Sequence, residues 1–185
     1  MRIQVRRGLS VHCKALFLSV VISVTVGHVL ADNSDFEYRV KSAFLYHFFK
    51  FVEWPTSPST TGERLIICTI GSPRLHDSLQ QTLVDKYIRG RPIELEMIAS
   101  PAEAQACSIV FLGFDNPAKL DEWVGQLSSV SALTVSDTYG FAGQGGMIEF
   151  VVVSGKIRFD INHSAANRLD INLSSKLLTL ARKVY

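Results

Sequence analysis

The part of the chain that most constrains its fold is residues 65–135, where short apolar runs alternate with amphipathic segments. The apolar runs fit buried strands and lie at 65–70, 93–98, 109–114 and 132–135. Helices are predicted between them at 73–84, from 101 onward and at 117–127, each opened by a capping residue and a proline. This βαβαβαβ order predicts an α/β domain with a central, mostly parallel sheet and helices on both of its faces.

The C-terminal third has a different pattern. Two apolar runs, 147–153 and 156–161, are separated only by Ser154-Gly155, which predicts an antiparallel hairpin added to the parallel sheet. Two short helices follow, at 164–169 and 174–183.

Residues 1–31 have the parts of a cleavable export signal. The basic residues at its start are Arg2, Arg6, Arg7 and Lys14. An apolar run of twelve residues follows at 15–26, and Val29 and Ala31 supply a cleavage site. The alternative, an uncleaved membrane anchor, needs roughly 20 apolar residues. We predict cleavage after Ala31, which leaves one mature domain over residues 32–185 in an oxidising compartment outside the cytoplasm.

The charge balance of the predicted mature chain argues against nucleic-acid binding. Removing the signal takes away four of the 19 Lys and Arg residues and none of the 17 acidic ones. The remaining 15 against 17 give a net charge of −2 in place of +2. Nucleic-acid-binding domains instead concentrate basic residues on one face.

Two cysteines remain once Cys13 is removed with the signal. Cys68 lies inside the apolar run 65–70, and Cys107 comes directly before the apolar run 108–112. An even number of cysteines in an exported protein predicts a disulfide, which here would join the ends of two buried strands. The alternative is two reduced thiols packed as small hydrophobic groups.

Motifs for catalysis or cofactor binding are weak in this sequence. The glycine-rich stretch 140–146 precedes a strand, whereas a phosphate-binding loop follows a strand and opens a helix. Asp115 and Asp137 follow predicted strands, where α/β sheets bind ligands, but carboxylates there are also common turn residues. No metal-ligand spacing connects the mature histidines, which are His47, His76 and His163. We expect no catalytic site, no metal and no cofactor.

Residues 39–55, RVKSAFLYHFFKFVEWP, resemble the opening helix of the YfiR family of periplasmic regulators. The family pattern runs Lys-Ala-Ala-Phe-Leu-Tyr-Asn-Phe-x-Lys-Phe-x-Glu-Trp-Pro, and His47 stands here in place of the asparagine. The similarity continues in order at 67–68, 106–107, 133–137, 140–142, 145–150, 158–162, 165–166 and 174–178. Some members carry a second cysteine pair at the positions of Ala142 and Glu149, so we expect the region 140–149 to be looser here.

The resemblance implies a regulator rather than an enzyme. It implies a periplasmic inhibitor that binds the sensor domain of a membrane-anchored diguanylate cyclase, which keeps cyclic di-GMP synthesis low and represses biofilm formation. It also implies release of the inhibitor by an outer-membrane OmpA-like lipoprotein or by redox damage to the disulfide. A homodimer is left open.

The first candidate partner surface is an aromatic helix. A wide apolar arc predicts this helix over 35–52, ending before Pro55. Tyr46, Phe49 and Trp54 add more aromatic surface than one apolar stripe holds, which suggests a binding face. The alternative is a helix that is fully buried.

The second candidate partner surface is the end of the hairpin. Phe159, Asp160, Ile161 and Asn162 alternate in polarity, so Asp160 and Asn162 should share an exposed face, with Arg168 on the next helix nearby. The alternative is an ordinary solvated strand face.

Two other function classes stay open. A small-molecule sensing module would use the carboxyl ends of the strands near Gly71, Asp115 and Asp137 and would show a pocket lined by polar groups. A secreted hydrolase would place a nucleophile within hydrogen-bond reach of a histidine.

Overall fold

The computed structural model describes residues 27–55 and 64–185, and for residues 27–33 it describes the backbone alone. The chain divides into two units, Met1–Ser34 and Asp35–Tyr185. Apart from the helical backbone that begins at Gly27, the predicted export signal lies outside the described residues. None of the described helices combines the length and the apolar character needed to cross a bilayer.

A single large sheet organises the unit that begins at Asp35. The helices are α1 (Gly27–Phe48), α2 (Pro73–Thr82), α3 (Pro117–Leu127), α4 (His163–Asn167) and α5 (Ser175–Leu180), with a 3₁₀ helix at Pro101–Ala106. The strands are β1 (Val52–Glu53), β2 (Leu65–Ile70), β3 (Tyr87–Ile88), β4 (Arg91–Met97), β5 (Ile109–Leu112), β6 (Leu133–Ser136), β7 (Ile148–Val153), β8 (Lys156–Ile161), β9 (Asn172–Leu173) and β10 (Lys183–Val184).

The topology is the predicted α/β arrangement. Eight strands lie in the order β10-β8-β7-β6-β5-β2-β4-β3, and β1 pairs separately with β9. Strands β4, β2, β5, β6 and β7 are parallel, and β7 and β8 form the predicted antiparallel hairpin. The prediction of a mostly parallel sheet with a C-terminal antiparallel extension is confirmed.

The two faces of the sheet carry separate apolar cores, because successive side chains of a strand point to opposite faces. Ile67 and its same-face neighbours on β5 and β6 pack against α1 and α2, with Phe48 fully buried among them. Ile66 and Cys68 pack on the other face against α3, whose Trp123 is also buried. Burial on both faces explains why these strands read as continuous apolar runs rather than alternating ones.

Two predicted helix ends are wrong, because the residues there pair with strands that are distant in sequence. Helix α1 ends at Phe48 and not at residue 52, since Val52 pairs with Leu173 in the small sheet. The helix predicted over 174–183 ends at Leu180, because Lys183 pairs with Asp160 as strand β10 begins. Both pairings join residues far apart in sequence, so local periodicity does not reveal them.

Candidate functional site

The predicted disulfide is present and lies on the α3 face of the sheet. Cys68 on β2 and Cys107, just before β5, are bonded with their Cα atoms 5.9 Å apart. Both side chains are buried. The bond ties the end of the 3₁₀ helix to the sheet, and it closes a separation of 39 residues.

The best-defined charged cluster surrounds a buried lysine, Lys41, near the carboxyl end of β6. The Lys41 ammonium on α1 lies 2.6 Å from Asp137 Oδ2 and 2.5 Å from Glu37 Oε1, one turn earlier on the same helix. Its Nζ is also 5.4 Å from the centre of the Tyr38 ring. Burial lowers the pKa of Lys41, but the charge and hydrogen bond of Asp137, together with Glu37, more than offset this, so the pKa is raised above 10.5.

Glu149 on β7 is hydrogen-bonded to the backbone of the glycine-rich loop, residues 140–146. Its carboxylate accepts hydrogen bonds from the backbone N–H of Gly140 (3.0 Å) and of Ala142 (3.1 Å). Asn162 Nδ2 donates to the carbonyl of Ala142 at 2.7 Å. At the two positions where some family members carry the second cysteine pair, a buried carboxylate here bonds to the backbone N–H of Ala142.

The predicted exposed polar face of the second candidate surface is also wrong. Asp160 is buried and accepts hydrogen bonds from Arg182, including one of 2.8 Å from Nε. Asn162 caps α4 by accepting a hydrogen bond from the N–H of Ala165. Phe159 is buried in the core. The end of the strand, residues 159–161, is buried on both faces and β10 pairs with its edge, so the alternation there separates two buried environments rather than core from solvent.

Arg168 does not join Asp160 and Asn162. It is exposed at the C-terminal end of α4 and lines a different cavity, of about 460 Å³, between α3, α4 and the glycine-rich loop. Asp121, Val124, Leu127 and Met147 contribute to the same cavity. Within residues 27–55 and 64–185, the Arg168 guanidinium has no ion-pair or hydrogen-bond partner.

Most of the aromatic side chains of α1 face inward. Phe49 is buried and packs on the Trp54 ring, and Trp54 Nε1 donates to the carbonyl of Ser108 at 2.9 Å. Tyr46 is half-buried beside Lys50, whose Nζ is 4.9 Å from the ring centre. His47 is exposed, and its pKa is lowered by partial burial and by the charge of Lys50. The buried-helix alternative describes Phe49 and Trp54 better than a free binding face does.

The carboxyl ends of the other strands are filled or solvated. A Cβ at Gly71 would meet the carbonyl oxygen of Gly113 at 2.4 Å, so the two backbones are already in contact. Asp115 is exposed, and Asn116 caps α3. His76 Nδ1 lies 2.8 Å from Thr69 Oγ1. In the described part of the chain, no three His, Cys, Asp or Glu side chains gather in a way that could hold a metal ion.

A cleft of about 360 Å³ opens where β6 ends and the hairpin continues. Its walls come from α1, the residues after β6, the hairpin and the C-terminal segment. They are formed by Glu37, Lys41, Asp137, Tyr139, Glu149, Phe150, Val151, Val152, Val153, Ile157 and Arg182. Tyr139 stands at the rim with 93% of its surface exposed, and Val152 is 59% exposed.

The outer half of β7 leaves one edge open to this cleft. β6 pairs with β7 only at Ile148 and Glu149, whereas β8 pairs with β7 along its whole length. In a two-residue hairpin the closing pair exchanges both backbone hydrogen bonds, so Val153 and, by alternation, Val151 bond to β8. The N–H and C=O of Val152 therefore point to the side where β6 has ended, and no residue of the described ranges bonds to them.

Sequence reasoning missed Lys41, Glu37 and Arg182 as site residues. The i, i+4 spacing of Glu37 and Lys41 on a predicted helix was a visible signal. A second signal was Glu149, a lone carboxylate inside an apolar strand. The sequence contained no such signal for Arg182, because its partner, Asp160, lies on a strand 22 residues away.

Comparison with known proteins places this geometry in a family. The family described as YfiR/HmsC-like (DUF4154) matches residues 38–182. A conserved domain protein from Vibrio cholerae has a similar structure over 80% of this chain and 60% of its own, with a TM-score of 0.53 and 9% identity. The chain thus spans less than two thirds of that protein, and at this identity the likeness shows the fold alone.

A second solved structure is less similar. The ABC domain from Streptococcus pneumonia, determined in complex with L-Trp, aligns with 66% of this chain and 55% of its own at a TM-score of 0.44 and 14% identity. That score is too low to support any conclusion about this chain. No curated protein matches the chain in sequence.

Proposed function

The chain belongs to the YfiR/HmsC-like family, and we propose that it is a periplasmic protein that inhibits a membrane-anchored diguanylate cyclase by binding the periplasmic sensor domain of that enzyme. Membership of the family supports a regulatory role. Inhibition of the cyclase would lower cyclic di-GMP and repress biofilm formation. In this proposal the protein has no catalytic role of its own.

The observation that carries the proposal is the cleft between α1 and the hairpin. A regulator acts by binding one conformation of its target better than another, so it needs a recognition surface rather than a reactive group. The cleft offers an exposed tyrosine, Tyr139, and an open strand edge at Val152. Its charged groups bond to one another and hold the walls in place: Lys41 to Asp137 and Glu37, and Arg182 to Asp160.

The disulfide supports the periplasmic location in this proposal. Disulfides persist in oxidising compartments such as the periplasm and are rare in the cytosol. Cys68 and Cys107 are bonded and buried, and the sequence begins with a predicted export signal that would be removed after Ala31. An OmpA-like lipoprotein that competes for the same surface, or loss of the disulfide, would release the cyclase.

Deletion of the gene tests the regulatory role, and a binding assay tests its mechanism. We expect deletion to raise cellular cyclic di-GMP and biofilm, and we expect the purified domain 32–185 to bind the periplasmic domain of one of the organism's membrane-anchored diguanylate cyclases. A strain that expresses the protein without residues 1–31 from the start should behave like the deletion. Unchanged cyclic di-GMP together with no binding to any such domain would refute the proposal.

A second candidate function, small-molecule sensing, is favoured by the cavity beside Arg168. Its volume of about 460 Å³ lies in the range of ligand pockets, roughly 300–1,000 Å³. Polar side chains, among them Arg168, Thr134 and Gln144, line it together with apolar ones. A thermal-shift screen with small carboxylates and phosphates would detect such a ligand. A shift that disappears in Arg168→Ala would support this function, and the absence of any shift would exclude it for these ligands.

A further inference from the structure

The open edge of β7 is unusual among the strands of this sheet. Natural proteins protect strand edges with charges, prolines or bulges, since an unpaired edge recruits other chains. From Phe150 to Val153 the strand contains only apolar residues, and Val152 and Val153 are 59% and 41% exposed. The edge can therefore accept another strand, a mode of recognition in which backbone hydrogen bonds provide affinity and side-chain pockets provide specificity.

The charges around the edge favour a partner segment with a positive charge. The cleft contains the carboxylates of Glu37, Asp137 and Glu149 and the cations of Lys41 and Arg182, of which Arg182 is bound to the buried Asp160. Including Asp160, four carboxylates face two cations, a net charge of −2. Both cations are already paired with carboxylates, so an arriving anion would meet an excess of negative charge.

An arriving cation, in contrast, finds acceptors that still contact solvent. The side chains of Glu37 and Asp137 are 37% and 28% exposed, although each bonds to Lys41. The Tyr139 ring at the rim adds a face on which a cation can lie. Exposed tyrosines of this kind are common among residues that dominate binding energy at protein interfaces.

We propose that the cleft binds an extended segment of the partner protein, which pairs with the open edge of β7 at Val152 and places a lysine or arginine, flanked by apolar residues, against Glu37 and Asp137. This inference rests on the proposed function, because it describes how the sensor domain of the cyclase would be recognised. The apolar neighbours of the cation pack on Val152 and Tyr139. A second copy of this chain is the competing occupant, because its own open β7 edge could pair with this one.

Two variants of the mature protein test the edge and the charge separately. Val152→Pro removes the outward N–H without touching a bond to β8, and prolines are tolerated at such edge positions. Glu37→Gln removes one negative charge and leaves Asp137 on Lys41. We expect each to weaken binding of the cyclase periplasmic domain by about tenfold, the equivalent of one or two net hydrogen bonds. Added salt should weaken the wild-type complex more than the Glu37→Gln complex.

Matched controls separate recognition from folding. Asp121→Asn and Glu122→Gln each remove an exposed carboxylate on α3, far from the edge in sequence; both should bind like the wild type. Circular dichroism and thermal unfolding check each variant. If Val152→Pro does not fold, Glu37→Gln and the salt dependence decide the question.

The outcomes distinguish this inference from the proposed function. A wild-type protein that binds the sensor domain, with Val152→Pro and Glu37→Gln weakened and the controls unchanged, supports the inference. Equal binding by all variants overturns the inference and leaves the proposed function standing. No binding by the wild type overturns the proposed function, and sedimentation showing wild-type self-association that Val152→Pro abolishes assigns the edge to a second copy and overturns the inference.

Discussion

Glu149 and Asp160 lie directly opposite each other on β7 and β8, and both carboxylates are buried. Like charges at opposed positions of a sheet are destabilising unless each is compensated. Here the compensation is different for the two residues: backbone N–H groups of the glycine-rich loop bond to Glu149, and the Arg182 guanidinium bonds to Asp160. The pair thereby connects the loop, the hairpin and the C-terminal strand.

Glu149→Gln should destabilise the domain by about 1–3 kcal/mol. The amide keeps one acceptor oxygen but turns an NH₂ group toward a backbone N–H, so one of the two loop bonds is lost and a buried donor is left unsatisfied. Urea unfolding measures the loss, and hydrogen exchange at Gly140 and Ala142 should accelerate. Glu53→Gln, at an exposed glutamate, is the control and should change neither quantity. Unchanged exchange at both amides would contradict this role of Glu149.

Arg182→Ala should be more damaging, because it leaves Asp160 buried without a cation. Arg182→Lys should cost less, since the charge remains while the two-pronged contact is lost. The double variant Asp160→Asn, Arg182→Ala should recover part of the stability, because it removes the uncompensated charge. Urea unfolding of the wild type, Asp160→Asn, Arg182→Ala and the double variant closes a double-mutant cycle, and strict additivity of the two single changes would rule out the coupling.

Much of the fold could be predicted from the sequence, because most of its determinants are local. The strand over 65–70 and the helix over 117–127 have the predicted bounds, and the Ser154-Gly155 turn has both residues at positive φ, as a two-residue hairpin requires. What could not be predicted are pairings between distant segments. Lys183 reads as the end of a helix until Asp160 of β8 is placed beside it.

The site was harder to predict for the same reason. The alternation around Asp160 correctly gave the side-chain faces but not what covers them, since the cation that faces Asp160 comes from a segment with no local signal. The open edge at Val152 depends on where β6 stops relative to β7. Sequence periodicity describes each strand alone, and this edge is a property of two strands together.

Reduction of the disulfide should lower the free energy of unfolding by about 2–4 kcal/mol, as expected for a loop of this length. Because Cys68 and Cys107 are buried, dithiothreitol should act slowly on the folded protein and quickly in urea. Unfolding curves with and without reductant measure the effect. The double variant Cys68→Ala, Cys107→Ala is the control and should not respond to reductant. Identical wild-type curves under both conditions would count against a stabilising disulfide.

Lys41→Met should reveal that the buried ammonium makes a pH-dependent contribution to the free energy of unfolding. The pKa of Lys41 is raised above 10.5 in the folded protein, so the ammonium binds its proton more tightly there than in the unfolded chain. Its contribution to stability is therefore complete below pH 10.5 and is lost as the pH rises through the folded-state pKa. We expect the wild type to exceed Lys41→Met by about 1–3 kcal/mol at neutral pH, because Asp137 and Glu37 keep some solvent contact when the cation is removed.

The difference between the two proteins isolates this effect, since other lysines and the tyrosines titrate in both. Urea unfolding at several pH values should give a constant difference up to about pH 10 and a shrinking one above it. Lys119→Met, at an exposed lysine of α3, should show no comparable difference. A Lys41→Met difference that stays constant to pH 11.5 would contradict a contribution from the charge of the ammonium. In that case packing alone would hold Lys41 in the cleft wall. Glu37→Gln would then leave the position of Lys41 unchanged, because that position would not depend on the charge of Glu37.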